Sequence, residues 1–151
     1  MSTTCREKGF ALVTAIFLLV ALASVAAYLV DVIAVEHQSS ALDLTGSRAY
    51  QAARAGIEWA AYSVLKNPSG TYAAACRAGP TRQTIDYTGN LATLHATVAC
   101  TSSAHSEAGA TVNVYRIVST ACNLPSSGAC PNLDPESQDY VERQLEAVMA
   151  K

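Results

Sequence analysis

The sequence predicts an α+β protein in which one long amino-terminal helix, half in a membrane and half amphipathic, packs on a small antiparallel β-sheet head with disulfides. Three observations predict this fold. Residues 10–30 form an uncharged apolar run, residues 31–66 continue with helical periodicity and no proline, and residues 67–151 alternate turn residues with β-branched stretches. With a leader over residues 1–9, these boundaries define four predicted segments.

The apolar run is long enough to cross a membrane. Thr14 and Ser24 are its only clearly polar side chains, and about 20 helical residues span a hydrocarbon core of about 30 Å. Arg6 and Lys8 precede the run, and positive charge on this side favours a cytoplasmic amino terminus. We therefore expect a single-pass membrane helix, with the rest of the chain translocated across the membrane.

A removable signal peptide is the alternative interpretation of the same run. Cleavage after Ala23 or Ala27 would release the remainder of the chain as a secreted protein. However, the run exceeds the usual signal core of about 7–15 apolar residues, and it continues directly into more helix. The pattern therefore favours a retained helix.

The second half of the predicted helix has one apolar face. Alanine and branched apolar residues recur at spacings of three, four and seven until residues 67–70 (Asn-Pro-Ser-Gly) end the helix. Gly46 and Gly56 each cost about 1 kcal/mol relative to alanine and would permit a bend. Trp59 is predicted to anchor the head on the helix, with Glu58 at the edge of this contact; an inter-subunit contact is the alternative role for both.

The head contains four strand candidates. They are residues 84–88, 91–101, 111–122 and 140–149. The last candidate also has helix-favouring residues, but a fourth strand would cover a sheet edge, which favours strand. Gly89-Asn90 lies between two strand patterns and predicts a tight hairpin.

The cysteines of the head predict disulfides and export. Cys5 belongs to the leader, which leaves Cys76, Cys100, Cys122 and Cys130 and three possible pairings. Cys122 and Cys130 flank a short loop, a natural staple, and the other two would then tie the start of the head to a strand. Zinc is disfavoured, because no two of these cysteines have the close spacing of zinc ligands.

Several function classes are disfavoured by composition and motif. A net charge of −2 without any Lys/Arg-rich block argues against nucleic-acid binding. No nucleophile, nucleotide-binding or metal-binding motif occurs, so we expect no enzyme activity, no catalytic residue, no cofactor and no metal. The acidic residues near the carboxy terminus are interpreted as a solvated face rather than a calcium site.

The leader resembles that of type IV prepilins. It contains Arg6 and Lys8, then Gly9-Phe10, then an uncharged apolar helix. In that family a membrane-embedded prepilin peptidase cuts after the glycine and N-methylates the next residue, which implies processing between Gly9 and Phe10 and a methylated Phe10. The retained helix would become the packing element of a pilus, and the predicted layout is similar to the pilin fold over the whole chain.

One position departs from the major pilins. They carry a glutamate at the fifth residue after the cut, where this chain has Thr14. A carboxylate in an apolar helix is costly unless it is paired, and in pilins it is thought to pair with the terminal amine of a neighbour. Thr14 therefore resembles the minor subunits proposed to occupy a filament tip, and it is assigned to the assembly surface.

Three stretches narrow the resemblance. Residues 9–19, 51–60 and 141–146 are most similar to minor pilins of mannose-sensitive haemagglutinin (MSHA) type pili, and PilX-type minor pilins share the pattern around Gly56 and Glu58. This resemblance implies a subunit that helps to initiate pilus assembly, with other minor and major pilins and the inner-membrane assembly platform as partners. It also implies a helix in the inner membrane with the carboxy-terminal head in the periplasm, and a final location on the cell surface. A minor pseudopilin of a type II secretion system and a secreted binding module are the alternatives.

Overall fold

A computed structural model describes residues 8–151, except for the side chains of residues 8–10, 34 and 35. It confirms the predicted class: a long amino-terminal helix packs on a four-stranded antiparallel sheet, with two disulfides. In chain order the elements are α1 (Lys8–Leu65), α2 (Thr71–Ala78), β1 (Thr81–Asp86), a 3₁₀ turn (Gly89–Leu91), β2 (His95–Glu107), β3 (Ala110–Cys122) and β4 (Glu142–Ala150). The chain divides into two compact units, Met1–Ala41 and Leu42–Lys151, and each is described by itself.

The sheet is a meander in the order β1-β2-β3-β4, and every neighbouring pair is antiparallel. A two-residue turn joins β2 to β3, with φ values of 49° at Ala108 and 82° at Gly109. Two successive positive φ values are typical of the type I′ turn, whose twist matches that of the flanking strands. The β2–β3 hairpin that this turn closes is the longest ladder of the sheet.

β1 and β2 form an antiparallel pair on either side of Gly89-Asn90, as predicted, but the tight turn predicted there is wrong. Residues 87–94 connect β1 to β2 and include the 3₁₀ turn. Leu94 is fully buried, and Tyr87 and Leu91 pack against the same core cluster as Ala52. The chain leaves the strand pattern here because these apolar side chains cover the core beneath α1.

Helix α2 was not expected from the sequence. Gly70 and Gly79, residues of a type that favours turns, cap this short helix at its two ends. Between them lies an alanine-rich segment, which has high helix propensity. Cys76 lies on its buried side.

The fourth strand is confirmed where the sequence left a choice between strand and helix. β4 pairs with β3 from Val114 to Cys122. Leu145 and Met149 pack toward the core that α1 covers, whereas Gln144 and Glu146 lie on the opposite side. This alternation is that of a strand with one buried face.

The core between α1 and the sheet uses unusually small helix residues. The buried positions of α1 are Gly46, Ala49, Ala52, Ala53, Gly56, Ala60 and Val64. A Cβ atom at Gly56 would lie 3.0 Å from Val98 Cγ2 and closer still to Ser119 Oγ. The backbone of α1 therefore lies directly against the middle of the sheet, and Gly56 has a packing role that its interpretation as a weak point of the helix did not include.

The two disulfides are the pairs that the short-loop argument favoured. Cys76–Cys100 joins α2 to β2, and Cys122–Cys130 closes the loop that follows β3, with Cα–Cα distances of 5.5 and 5.8 Å. The first bridge therefore fixes a short helix to a central strand, and the second fixes a loop to the end of a central strand. Such constraints matter most in a domain with a thin core.

Candidate functional site

The first candidate surface is the apolar segment of α1, which we define as residues 11–30 and which ends before Asp31. Within the described residues, α1 is the one helix long and apolar enough to cross a membrane, judged by length and composition. Its most apolar window has a mean hydropathy of 2.5 and is 0% buried. The hydroxyl of Ser24 donates to the carbonyl of Ala21 at 2.8 Å, so this polar group is satisfied inside the helix. The segment thus presents apolar side chains all round.

The predicted processing site lies at the edge of the described region. Residues 1–7 of the leader lie outside it, while the backbone of Gly9 and Phe10 belongs to α1. The side chain of Phe10 is likewise outside the description. Thr14 lies further along the same helix and is exposed, so a neighbouring helix or lipid would meet it directly.

Trp59 contacts the head through an aromatic pair. Its ring lies 4.7 Å from that of Tyr72, centroid to centroid, at an interplanar angle of 59°, a favourable tilted arrangement. Trp59 keeps 37% of its surface exposed. Because Tyr72 belongs to α2, this pair attaches α2 to the end of α1.

Tyr72 has a second unusual property. Its hydroxyl is buried and has no hydrogen-bond partner among the described residues. Burial disfavours the charged phenolate and raises the pKa of Tyr72 to about 12.

Glu58 points away from the head. Its carboxylate accepts a hydrogen bond from Arg54 Nε at 3.0 Å, one turn earlier on the same helix. Both side chains are largely exposed, so this pair contributes little to stability. Of the two residues predicted at the helix–head contact, Trp59 therefore lies in the contact and Glu58 lies at the surface.

Polar contacts also tie α1 to distant parts of the head. The Tyr87 hydroxyl donates to the Ala52 carbonyl at 2.6 Å, and burial raises the pKa of Tyr87. At the other end of the contact, the Lys151 ammonium donates to the Leu65 carbonyl. A cation here satisfies one of the carbonyls that a helix leaves unpaired at its carboxy terminus.

The second candidate surface is the outer face of the sheet, the side away from α1. An ion pair and a His–Asp hydrogen bond lie on it: Arg116 donates to both carboxylate oxygens of Glu146 at 2.6 and 2.7 Å, and His95 Nδ1 lies 2.6 Å from Asp86 Oδ1. The Arg116 hydrogen bond lowers the pKa of Glu146, and Glu146 in turn raises the pKa of Arg116. Both groups are at the surface, so water screens this pair.

A cleft of about 470 Å³ lies on the outer face, between the strands and the disulfide-closed loop after β3. Its floor includes Thr97 and Thr120, and its walls include Arg82 of β1 and Leu133 of the loop. Sequence reasoning missed this cleft because its residues come from four strands and a loop. No local pattern places them together.

Helix α2 and the close packing of the small buried residues of α1 were also not predicted from the sequence. A signal for α2 was present, since Ala73, Ala74 and Ala75 lie between two glycines. Gly46, Ala49 and Ala53 recur at the helical spacings of three and four. Their period predicts an apolar face, and their small size is the additional signal for a close approach of helix and sheet.

The described side chains contain no group of three or more His, Cys, Asp or Glu residues positioned to hold a metal ion. No family model, curated protein or solved structure matches the chain. The functional interpretation therefore depends on the fold, the apolar segment and the leader resemblance.

Proposed function

We propose that this protein is a minor type IV pilin, similar to the MshP-type biogenesis proteins of MSHA pili, and that it helps to initiate pilus assembly at the inner membrane. It is a structural subunit rather than an enzyme. Its partners in this proposal are the prepilin peptidase, other minor and major pilins, and the inner-membrane assembly platform.

The observation that supports this proposal best is the two-part character of α1. Residues 11–30 are uncharged, almost entirely apolar and largely exposed, whereas from residue 46 onward the same helix buries small residues against the sheet. An exposed apolar surface of this size needs lipid or other apolar helices around it. A subunit that first resides in a bilayer and later packs into a fibre is surrounded first by lipid and then by apolar helices.

The mechanism follows from the cost of starting a filament. Helices leaving the bilayer must exchange lipid contacts for contacts with each other, and the first few subunits have few neighbours. A minor subunit already inserted in the membrane presents a formed helix surface on which major subunits add. Thr14 suits a subunit at the filament tip. Such a subunit has no neighbouring subunit ahead of it, so no terminal amine would be available to pair with a carboxylate at this position.

The decisive experiment is amino-terminal analysis of the mature protein. We expect the purified chain to begin at an N-methylated Phe10 and to require detergent. A soluble product that begins at Ser24 or Tyr28 would identify a secreted module instead.

Variants separate processing from folding. Gly9→Ala is expected to leave the leader attached and to fail to restore pili to cells that lack the protein. Gly46→Ala is the matched control, because it changes a glycine of the same helix far from the cut, and it is expected to be processed normally. Normal piliation by an uncleaved Gly9→Ala chain would refute the proposal. Partners recovered from membranes would distinguish pilus subunits from those of a secretion pseudopilus.

A further inference from the structure

The outer-face cleft combines hydrogen-bond donors that have no acceptor among the residues that the structure describes. Two rows of side chains cross the sheet here, as the strand register places them: Arg82, Ala99, Val118 and Glu146 in one row, and Thr84, Thr97, Thr120 and Gln144 in the next. Arg82, Thr97, Thr120 and Gln144 all line the cleft.

The two threonines supply the first donors. Thr97 is 7% exposed and Thr120 is 4% exposed. The Cys130 amide donates to Thr97 Oγ1 at 2.8 Å, and Gln144 Nε2 donates to Thr120 Oγ1 at 3.0 Å. Each hydroxyl therefore acts as an acceptor, and no hydrogen bond from its own proton is found among the described residues. Both O–H groups remain available to an acceptor in the cleft.

Arg82 supplies the charge. It is exposed, and it takes part in none of the ion pairs or side-chain hydrogen bonds found among the described residues. The acidic residues on the outer face of β1 and β4 are occupied elsewhere. Asp86 contacts His95, Glu142 accepts from the Tyr140 hydroxyl, and Glu146 is bound by Arg116.

The walls of the cleft are apolar. Leu133 is 90% exposed, and Pro131, Ala99 and Val118 lie beside it in the lining. A volume of about 470 Å³ is in the range of small-molecule sites. The cleft therefore combines an exposed leucine, a guanidinium and two hydroxyl donors in one lining.

We propose that this cleft binds a small organic carboxylate with a short aliphatic body. The carboxylate would accept hydrogen bonds from the Arg82 guanidinium and from the Thr97 and Thr120 hydroxyls, since guanidinium–carboxylate pairs are charge-assisted and directional. The aliphatic part would lie against Leu133. This site is independent of the pilin proposal, because it requires only the head.

The test is a titration of the full-length chain in detergent with 4-methylpentanoate as the probe. Amide NMR shifts of residues that line the cleft should change and saturate at millimolar probe. The matching neutral probe, 4-methylpentanamide, should bind at least about tenfold more weakly, a difference of about 1.4 kcal/mol. Equal binding of both probes, or no saturable shift with the carboxylate, would overturn the proposal.

Variants locate the binding. Arg82→Gln should weaken the carboxylate by about tenfold or more, and Thr120→Val should weaken it by several-fold without unfolding the head, since Gln144 is exposed and turns to water. Arg48→Gln is the control, because Arg48 is an exposed arginine on α1 outside the cleft, and it should bind as the native chain does. An unchanged affinity in Arg82→Gln would refute the assignment even if the probe binds.

A titration with a short acidic peptide distinguishes the source of the carboxylate. The volume of the cleft predicts that the peptide binds no more tightly than the free acid. Tighter binding of the peptide by more than about tenfold would refute a small-molecule site and identify a protein partner.

Discussion

Gly56 shows how a single residue sets the distance between helix and sheet. Its missing side chain leaves room for Ser119, whose hydroxyl is buried without a hydrogen-bond partner among the described residues. Glycine costs about 1 kcal/mol in a helix interior relative to alanine. The residue is therefore unfavourable locally and necessary for packing.

Gly56→Ala is expected to destabilise the head. Overpacking costs about 1–3 kcal/mol, and the gain in helix propensity offsets about 1 kcal/mol of it. Chemical denaturation of the full chain in detergent measures the free energy of unfolding. Adding Ser119→Ala should recover part of the loss, because it removes the atom that lies nearest to the new methyl group.

Gly46→Ala is the matched control for that substitution. Its new Cβ atom would lie 2.9 Å from Arg143 Nη2, the far end of an exposed side chain that moves at little cost. Stability should stay the same or rise by up to about 1 kcal/mol. Equal effects of the two alanine substitutions would contradict the close-approach interpretation of Gly56.

Tyr72 predicts a loss of stability at alkaline pH. Its pKa is about 12 in the folded state against 10.0 for a free side chain, so between these values the unfolded chain releases its proton first. Its contribution is fully present below pH 10 and is lost as the pH rises toward 12. Tyr72→Phe should reduce this loss, measured as unfolding free energies at pH 7 and pH 11, whereas the exposed Tyr50→Phe should leave it unchanged.

The half-buried Tyr72 and Tyr87 also differ at neutral pH. The Tyr72 hydroxyl has no acceptor, so Tyr72→Phe should be neutral or stabilising. Tyr87→Phe removes the bond to the Ala52 carbonyl and should cost about 0.5–1.5 kcal/mol. A larger loss in Tyr72→Phe than in Tyr87→Phe would show that the Tyr72 hydroxyl has an acceptor in solution.

At the scale of elements, the disulfides hold the connections of the head to its sheet. Cys76 and Cys100 are 24 residues apart in the sequence, and Cys122 and Cys130 are 8 residues apart. Cross-linking a longer loop removes more entropy from the unfolded chain. The first bridge is also the covalent link between α2 and the sheet.

Replacing both cysteines of one bridge by alanine should therefore have unequal effects. The loop model gives a loss of about 3.4 kcal/mol for Cys76–Cys100 and about 2.5 kcal/mol for Cys122–Cys130. Denaturation of the two double variants measures this difference. Loss of the Cys122–Cys130 bridge should instead weaken probe binding more strongly, because Cys130 forms part of the cleft. The opposite ranking in both measurements would contradict these roles.

At the scale of the whole molecule, α1 combines an exposed apolar segment and a half that packs on the sheet in one continuous helix. Leu18 and Leu44 are both 54% exposed, yet only Leu18 lies in the apolar segment. Leu18→Asp should reduce membrane integration, since an aspartate near the centre of a spanning helix costs about 2.5–3.5 kcal/mol. The integrated fraction after alkaline extraction of membranes measures this.

Leu44→Asp is the control, with the same chemical change on the half of the helix that belongs to the head. It should leave integration unchanged. If both variants integrate equally well, the apolar segment does not reside in the bilayer, and the assembly proposal loses its support.

The sequence by itself determined the features that depend on local periodicity and composition. The apolar run, the length of α1, four strands and the presence of disulfides all follow from residues close together in the chain. Their signals are strong because each element repeats its pattern over many residues. Even the ambiguous last segment became a strand for the predicted reason, the covering of a sheet edge.

Only the tertiary structure decided the features that join distant residues. The place of the β2–β3 turn, the packing of Leu94 under α1 and the fit of Gly56 over Ser119 depend on strand register and helix position. The outer-face cleft is the clearest case, because Arg82, Thr97 and Thr120 meet across three strands. Such meetings are set by the free energy of the whole packed head, which no short stretch of sequence encodes.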